Sequence, residues 1–342
     1  MTGESLVAVA VAVDAVPALP LESVANAAQR LKVAAGRVVV GQERALELLL
    51  VALLAEGHVL LEDVPGVGKT LMARTLARCL GCEFRRLQFT PDLLPSDVTG
   101  LSFFNQRSQE FEFRPGPIFT NVLLADEINR ATPRTQSALL ESMEEHQVTV
   151  DGETRAVPRP FMVLATQNPV ELEGTFPLPE AQLDRFLLRV TLGYPTVEEE
   201  KAILRRFRER SPLEDVQPIL STADLLALQA AVRRVHVGEA VEDYLVAVVR
   251  TTREHDALDL GASPRASLAL FRASQALAAI HGRGFVLPDD VKRLAPPVLG
   301  HRLVPTSQSR LRGRGAPAVV ERMLEEIPAP VEVETPSLSG SG

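Results

Sequence analysis

The stretch Leu60-Leu61-Glu62-Asp63-Val64-Pro65-Gly66-Val67-Gly68-Lys69-Thr70 decides the reading of this chain. An apolar run that suits a buried strand enters a Gly/Pro loop, and a helix-forming stretch, Thr70–Leu80, follows it. Gly66 and Gly68 let backbone N–H groups turn inward around a polyphosphate, and the helix N-terminus adds the positive end of its dipole. In such a loop Lys69 reaches the β- and γ-phosphates and the Thr70 hydroxyl ligates Mg²⁺. Val64, Pro65, Gly66, Val67, Gly68 and Leu71 complete the expected cradle. The pattern G-x-x-x-x-G-K-[ST] departs at one point, with Asp63 where its first glycine usually stands. That position precedes the phosphate-contacting half of the loop, so a local backbone adjustment with retained binding is expected. A chance Gly-Lys-Thr in a strand–turn–helix is the plainer alternative, and the flanking strand and helix speak against it.

The next decisive run is Val122-Leu123-Leu124-Ala125-Asp126-Glu127. A buried strand that delivers two adjacent carboxylates at its C-terminal edge points them into the ligand crevice of an open α/β sheet. Asp126 is expected to hold the Mg²⁺ shell, and Glu127 to polarise a water toward the γ-phosphate. A further strand, Phe161–Ala165, ends in Thr166-Gln167-Asn168-Pro169, where the Asn168 amide can hold that water in line. Asn before Pro is also common in any turn. The Asn-Lys-x-Asp guanine-binding signature is absent from the sequence, so adenine is the expected base.

Outward from these runs the texture is α/β. Val59–Leu61, Phe84–Phe89, Val122–Ala125, Phe161–Ala165 and Phe186–Val190 are short apolar strands, with helices Thr70–Leu80 and Thr135–Glu145 between them. Continuous apolar strands alternating with helices predict a doubly wound parallel sheet covered on both faces. Two helical stretches precede it, Leu21–Val33 and Ala45–Glu56. After Tyr194-Pro195 the strand-like runs stop, and Thr196–Arg210, Ser221–Val235, Glu239–His255, Ser263–Ile280 and Pro288–Leu294 read as helices. Thr196 with Glu199 and Ser221 with Asp224 form capping-box patterns. The expected division is a flexible arm 1–21, an α/β nucleotide-binding domain 22–194, a small all-helical domain 195–328 and a disordered tail 329–342.

Asp63-Val-Pro-Gly-Val-Gly-Lys-Thr70, Leu124-Ala-Asp-Glu-Ile-Asn-Arg-Ala131, Ala165-Thr-Gln-Asn-Pro169 and Leu178-Pro-Glu-Ala-Gln-Leu-Asp-Arg-Phe186 together resemble the MoxR family of AAA+ ATPases. Gly261-Ala-Ser-Pro-Arg-Ala-Ser267 and Leu287-Pro-Asp-Asp-Val291 extend the likeness into the helical part, so that it spans roughly residues 21–305. Asp63 is a frequent variant in that family. The resemblance implies ATP and Mg²⁺ as ligands, with Asn168 as the sensor-1 residue. It also implies that Arg185 is an arginine finger reaching a neighbouring subunit's γ-phosphate, and that Arg265 is the sensor-2 arginine of a lid. Whether Arg265 serves its own nucleotide or a neighbour's stays open. Beyond the site, the resemblance implies a homo-hexameric ring with a chaperone-like role in maturing protein complexes or inserting cofactors, often beside a partner carrying a von Willebrand factor A domain. The Ser96–Ile118 insertion fits the family too, with a short hairpin at Phe111–Pro117 that either faces a central pore or packs on its own domain. Val148–Thr154, with Asp151-Gly152 at its turn, reads as a second hairpin.

Composition narrows the function classes. The chain has 342 residues, 46% hydrophobic and 4% aromatic, and a net charge of −8. An acidic chain poor in aromatics is not expected to bind nucleic acid through bulk charge or base stacking. Ala45–Leu61 is apolar but is interrupted by Glu47, Glu56 and His58, so no membrane span is expected. Met1–Leu21 is rich in Val and Ala but carries Glu4 and Asp14 and no Lys or Arg, which is wrong for a secretory signal. With two cysteines, a cytoplasmic setting is expected. Cys79-Leu-Gly-Cys82 lies at a helix end and reads as small buried residues, and Arg310–Arg314 reads as a solvated loop. Two other functions stay in competition: a nucleic-acid-remodelling ring ATPase, and a nucleotide-gated scaffold with little turnover.

Overall fold

A computed structural model of the chain describes residues 19–168, 174–313 and 315–330. Most of the expected arm, most of the expected tail, Pro169 and Arg314 lie outside the described residues.

Two helices open the fold, α1 (Leu21–Gly36) and α2 (Glu43–Leu54). The α/β alternation follows with β1 (Val59–Glu62), α3 (Lys69–Cys79), β2 (Phe84–Gln88), α4 (Pro95–Thr99), β3 (Gly100–Asn105) and β4 (Glu110–Pro115). It continues through β5 (Val122–Asp126), α5 (Pro133–Glu145), β6 (Gln147–Val150), β7 (Glu153–Ala156), β8 (Met162–Gln167), α6 (Glu180–Leu183) and β9 (Leu188–Val190). The helical part comprises α7 (Val197–Arg206), α8 (Thr222–Val232), α9 (Glu239–Glu254), α10 (Pro264–Ile280) and α11 (Pro288–Leu299). It also contains β10 (Leu258–Leu260), β11 (Val304–Pro305), α12 (Ser307–Leu311) and α13 (Ala316–Glu326).

A five-stranded sheet in the order β2-β5-β8-β1-β9, parallel at every pairing, forms the centre. Its three inner strands are apolar on both faces, as helices packed on each side require. Val122 and Leu124 of β5, Met162 and Leu164 of β8, and Val59 and Leu61 of β1 enter one core. The residues between them, Leu123, Leu60 and Val163, enter another with Phe89, Phe186 and Leu139. The first core runs without a break into the helical part, because α1 and α2 pack against α8 and α10. Glu47 of α2, buried, fastens that junction by gathering Lys32 at 2.7 Å, His281 at 3.2 Å and Arg293. Burial alone would raise the Glu47 carboxyl, but hydrogen bonds from Lys32 and His281 and the nearby cations outweigh it and hold it below the usual carboxylate range.

The structure differs from the sequence pattern mainly in the helical part. β10 and β11 pair as a short antiparallel ribbon among the helices, too brief to leave a period-2 signature. Helix α11 passes the stop expected at Leu294 and runs through Pro296 and Pro297 to Leu299. Burial of Val298 and Leu299 holds its last turn despite the missing N–H groups. Arg310 lies in α12, so the expected loop is partly helical, although Arg310 and Arg312 are exposed as expected. Helix α13 buries Val319, Val320 and Met323.

Both small hairpins form. β3 and β4 pair from Gly100–Pro115 to Asn105–Glu110, longer than expected, and leave Phe111 76% exposed with its ring 5.4 Å from Phe104. β6 and β7 turn at Asp151 (φ 52°) and Gly152 (φ 83°), the two positive φ values a tight two-residue hairpin needs. Cys79 is buried and Cys82 half-buried, and burial pushes both thiols up to about 11, which keeps them protonated at neutral pH.

Candidate functional site

The loop after β1 is shaped by two residues in left-handed backbone, Gly66 (φ 86°) and Gly68 (φ 97°), and Gly68 is the N-cap of α3. An added Cβ would meet open space at either position, so glycine is required there by φ and not by crowding. Asp63 is buried and works as a staple. One carboxylate oxygen accepts from the Val64 N–H at 2.8 Å, and the other from the N–H groups of Leu192 and Gly193, both at 2.7 Å. The departure from the glycine pattern therefore ties the start of the loop to the chain leaving β9. Lys69 Nζ donates to the Asp63 carbonyl at 2.7 Å and the Val64 carbonyl at 3.3 Å, which folds its ammonium over the loop. Burial lowers the Lys69 pKa, opposed by the charges of Asp63, Asp126 and Glu127.

Asp126 ends β5 beside β8. Its Oδ1 accepts from the Thr166 hydroxyl at 2.6 Å, and its Oδ2 is paired with Arg86 at 2.7 Å. Glu127 has left-handed backbone (φ 57°), unusual for a residue with a long side chain, and its N–H donates to Thr166 Oγ1 at 2.8 Å. Its carboxylate accepts from Gln88 Nε2 at 2.7 Å and pairs with Arg130 at 2.9 Å. Asn168 follows β8 and is buried. Gln167 beside it is in register with Glu62 at the mouth of the loop. Thus Asn168, Asp126, Glu127, Lys69 and Thr70 all lie at the C-terminal ends of neighbouring parallel strands, where such sheets bind ligands.

A cavity of about 290 Å³ adjoins the loop, lined by Val38, Val39, Gly66, Gly68, Leu71 and Phe207 among others. Its apolar walls and volume suit a nucleobase next to a phosphate cradle. The sequence reading missed this pocket, because its walls come from distant parts of the chain: the segment after α1, helix α3 and the end of α7. It also assigned no role to Thr166, Arg86 or Gln88. A hydroxyl near the end of the central strand was the available signal for Thr166. For Arg86 and Gln88, on a neighbouring strand, the sequence offers none.

Arg185 and Arg265 lie elsewhere. Arg185 Nε is 3.3 Å from Glu144 Oε2, and Arg265, in the first turn of α10, is 3.0 Å from Glu144 Oε1. Glu144 is at the end of α5, beside Met143, whose carbonyl is bonded to His58 Nε2 at 3.0 Å. The Leu187 N–H donates to the His58 carbonyl at 2.8 Å. His58 immediately precedes β1 and the phosphate loop follows it, so the arginine pair and the loop lie toward opposite ends of that strand. The structure brings the two arginines together and sets them apart from the other site residues.

Among the described residues no cluster of three or more His, Cys, Asp or Glu could hold a metal by itself, and no helix is long and apolar enough to cross a membrane. Thr70 and Asp126 offer hard oxygen donors of the kind that hold Mg²⁺ together with a substrate's phosphates.

Residues 58–188 match the family described as the ATPase family associated with various cellular activities (AAA), and residues 250–323 match the AAA lid domain. The chain is 52% identical over 296 residues to the uncharacterized protein YeaC of Bacillus subtilis, covering 86% of this chain and 92% of that one. It is 47% identical over 303 residues to Chaperone MoxR1 of Mycobacterium tuberculosis, covering 86% and 80%. A crystal structure of a candidate ATPase from Cytophaga hutchinsonii superposes with a TM-score of 0.85 at 40% identity, over 90% of this chain and 96% of that one. Sequence relatives, lid and parallel core agree, and the chain belongs to the MoxR family of AAA+ ATPases.

Proposed function

We propose that this ATPase hydrolyses Mg²⁺-ATP within a homo-hexameric ring, each subunit's Arg185 and Arg265 completing the site of its neighbour. The observation that carries this reading is the place of the two arginines, toward the opposite end of β1 from their own phosphate loop and held on one carboxylate. A cation arriving from the next subunit stabilises the charge on the transferred phosphoryl group and ties hydrolysis to assembly. Val64, Pro65, Gly66, Val67, Gly68 and Leu71 cradle the phosphates, with Lys69 turning from its carbonyls to the β- and γ-phosphates. Thr70 and Asp126 would hold Mg²⁺, which when bound neutralises phosphate charge. Glu127 draws the proton from the attacking water, and Asn168 orients that water. Gln88 and Arg130 hold Glu127 in place before substrate arrives.

In this reading residues 22–194 carry the nucleotide chemistry and 195–328 form the lid. The work done is chaperone-like remodelling or maturation of a client protein complex in the cytoplasm, with a von Willebrand factor A domain protein as the expected kind of partner. The relative named Chaperone MoxR1 supports that direction. The net charge of −8 favours a protein client over nucleic acid. Intact Lys69, Asp126 and Glu127 favour turnover over a gated scaffold.

The test is ATPase activity per subunit across a wide range of protein concentration, with Mg²⁺ and with a chelator, beside sedimentation at the same concentrations. Activity should rise as rings form and vanish with the chelator. A specific activity independent of concentration would overturn the shared-site reading. Filter binding to DNA and RNA under a salt titration tests the nucleic-acid alternative.

A further inference from the structure

The chain on both sides of Arg185 is gripped by one buried side chain from the helical part. Arg302, 5% exposed, follows α11 and reaches under the turn that carries Arg185. Its Nε donates to Asp184 Oδ1 at 2.6 Å. Its terminal nitrogens donate to the carbonyls of Asp184 at 3.2 Å, Phe186 at 2.6 Å and Leu187 at 3.0 Å, and also to Val298. His301 Nε2 adds a second bond to the Phe186 carbonyl at 3.0 Å. The remaining Asp184 oxygen accepts from the Ser263 hydroxyl at 2.7 Å, and Ser263 is the N-cap of the helix that presents Arg265.

The helical part thus binds this turn on both sides of Arg185. Helix α6 before it has only four residues and buries none of them. A guanidinium presents five N–H donors in a fixed plane, so it dictates the direction of each carbonyl it binds, which a lysine ammonium cannot do. A buried cation also tolerates little displacement from its carboxylate, because separating them leaves an unpaired charge.

We infer that Arg302 is a positioning residue which, through Asp184, locks the turn bearing Arg185 and the helix start bearing Arg265 into one arrangement, so that both arginines are presented together to the neighbouring subunit's nucleotide. This rests on the proposed action of Arg185 in trans. Arg302 itself touches no nucleotide. It acts by holding the backbone from which Arg185 projects.

Mixed rings test it. A host subunit carries an intact ATP site and Arg185→Ala. A donor subunit carries Lys69→Ala and an intact Arg185. ATP hydrolysis in the mixture, beyond that of each variant alone, comes from donor arginines at host sites. Adding Arg302→Lys to the donor should cut that hydrolysis about tenfold, on the scale by which misplacing a group at a transition state slows a reaction. The same substitution in the host, whose own Arg185 is already gone, should cost less than about twofold, since a host site borrows its arginine. Asp184→Asn in donor and host provides a second arm with little change in volume, and should show the same asymmetry at about threefold. It decides alone if the Arg302→Lys chain does not fold, as judged by thermal melts and sedimentation. Equal losses from donor and host, or no loss from the donor, would overturn the inference while leaving the trans reading intact. A parent mixture no more active than its separate components would overturn the trans reading, and the inference with it.

Discussion

The two ends of the central sheet use charge in opposite ways. Where the strands finish, Lys69, Asp126 and Glu127 are bonded to groups close by in the same end of the fold: the loop's own carbonyls, Arg86, Thr166, Gln88 and Arg130. Where the strands begin, two arginines from separate parts of the chain converge on Glu144 and are placed by a buried third. The first end sets acids paired with Arg86 and Arg130 beside a lysine, arranged to receive phosphate and water. The second holds three arginines on two carboxylates, Glu144 and Asp184. That asymmetry suits a molecule whose halves of a reaction centre meet only between copies.

Substitution can break this comparison. Arg185→Ala should lower kcat in concentrated protein about a thousandfold, the lower range for removing an arginine finger, while the binding of a fluorescent nucleotide by isolated subunits stays unchanged. Weakened binding in isolated subunits would place the arginine on its own nucleotide and erase the contrast. Glu127→Gln should slow hydrolysis about a hundredfold while retaining ATP, the scale of a lost general base, and the trapped form is the one to use for client capture. A wild-type rate would remove Glu127 from water activation.

Histidine sharpens the contrast through pH. His58 is buried between β8 and α5, with Nδ1 accepting from the Val163 N–H and Nε2 bonded to the Met143 carbonyl. Burial pushes its pKa down to about 4 from the ordinary 6.5, with the charge of His146 adding to the fall and the Met143 bond opposing it. The unfolded chain takes up this proton first, so the stability is fully present above about pH 6.5 and is lost as pH falls toward about 4. One such group contributes about 1.4 kcal/mol per pH unit in that window. Unfolding free energies from denaturant titrations between about pH 6.5 and pH 4.5 should lose about that much of their pH slope in His58→Gln. An unchanged slope would mean that other groups govern the acid response, among them His301, which burial also holds well below its ordinary value.

The finishing end of the sheet was legible because its chemistry is local. Gly66, Gly68, Lys69 and Thr70 are consecutive enough for spacing to reveal them, and Asp126-Glu127 closes a run of buried residues that reads as a strand. The beginning end was legible only through resemblance, because an arginine looks the same in sequence whether it meets solvent or phosphate. The positioning of Arg185 was not legible at all: residues 184 and 302 are far apart in the chain, and no periodicity links them. The cavity beside the loop escaped for the same reason, since Val38 and Phe207 meet only after the fold is made. Helix α13 was missed although Val319, Val320 and Met323 fall on one face, a signal muted by its short length and its Gly/Pro-rich approach.

Asp63 has a consequence for anyone who edits this protein. By the usual pattern it looks like a flaw in the phosphate loop, and Asp63→Gly looks like a repair. In this molecule the same carboxylate fastens the connector at Leu192 and Gly193, where Gly193 has φ 72° and the chain turns from sheet toward lid. The repair would cut a tether, because removing the carboxylate frees the start of the phosphate loop from the connector that leaves β9.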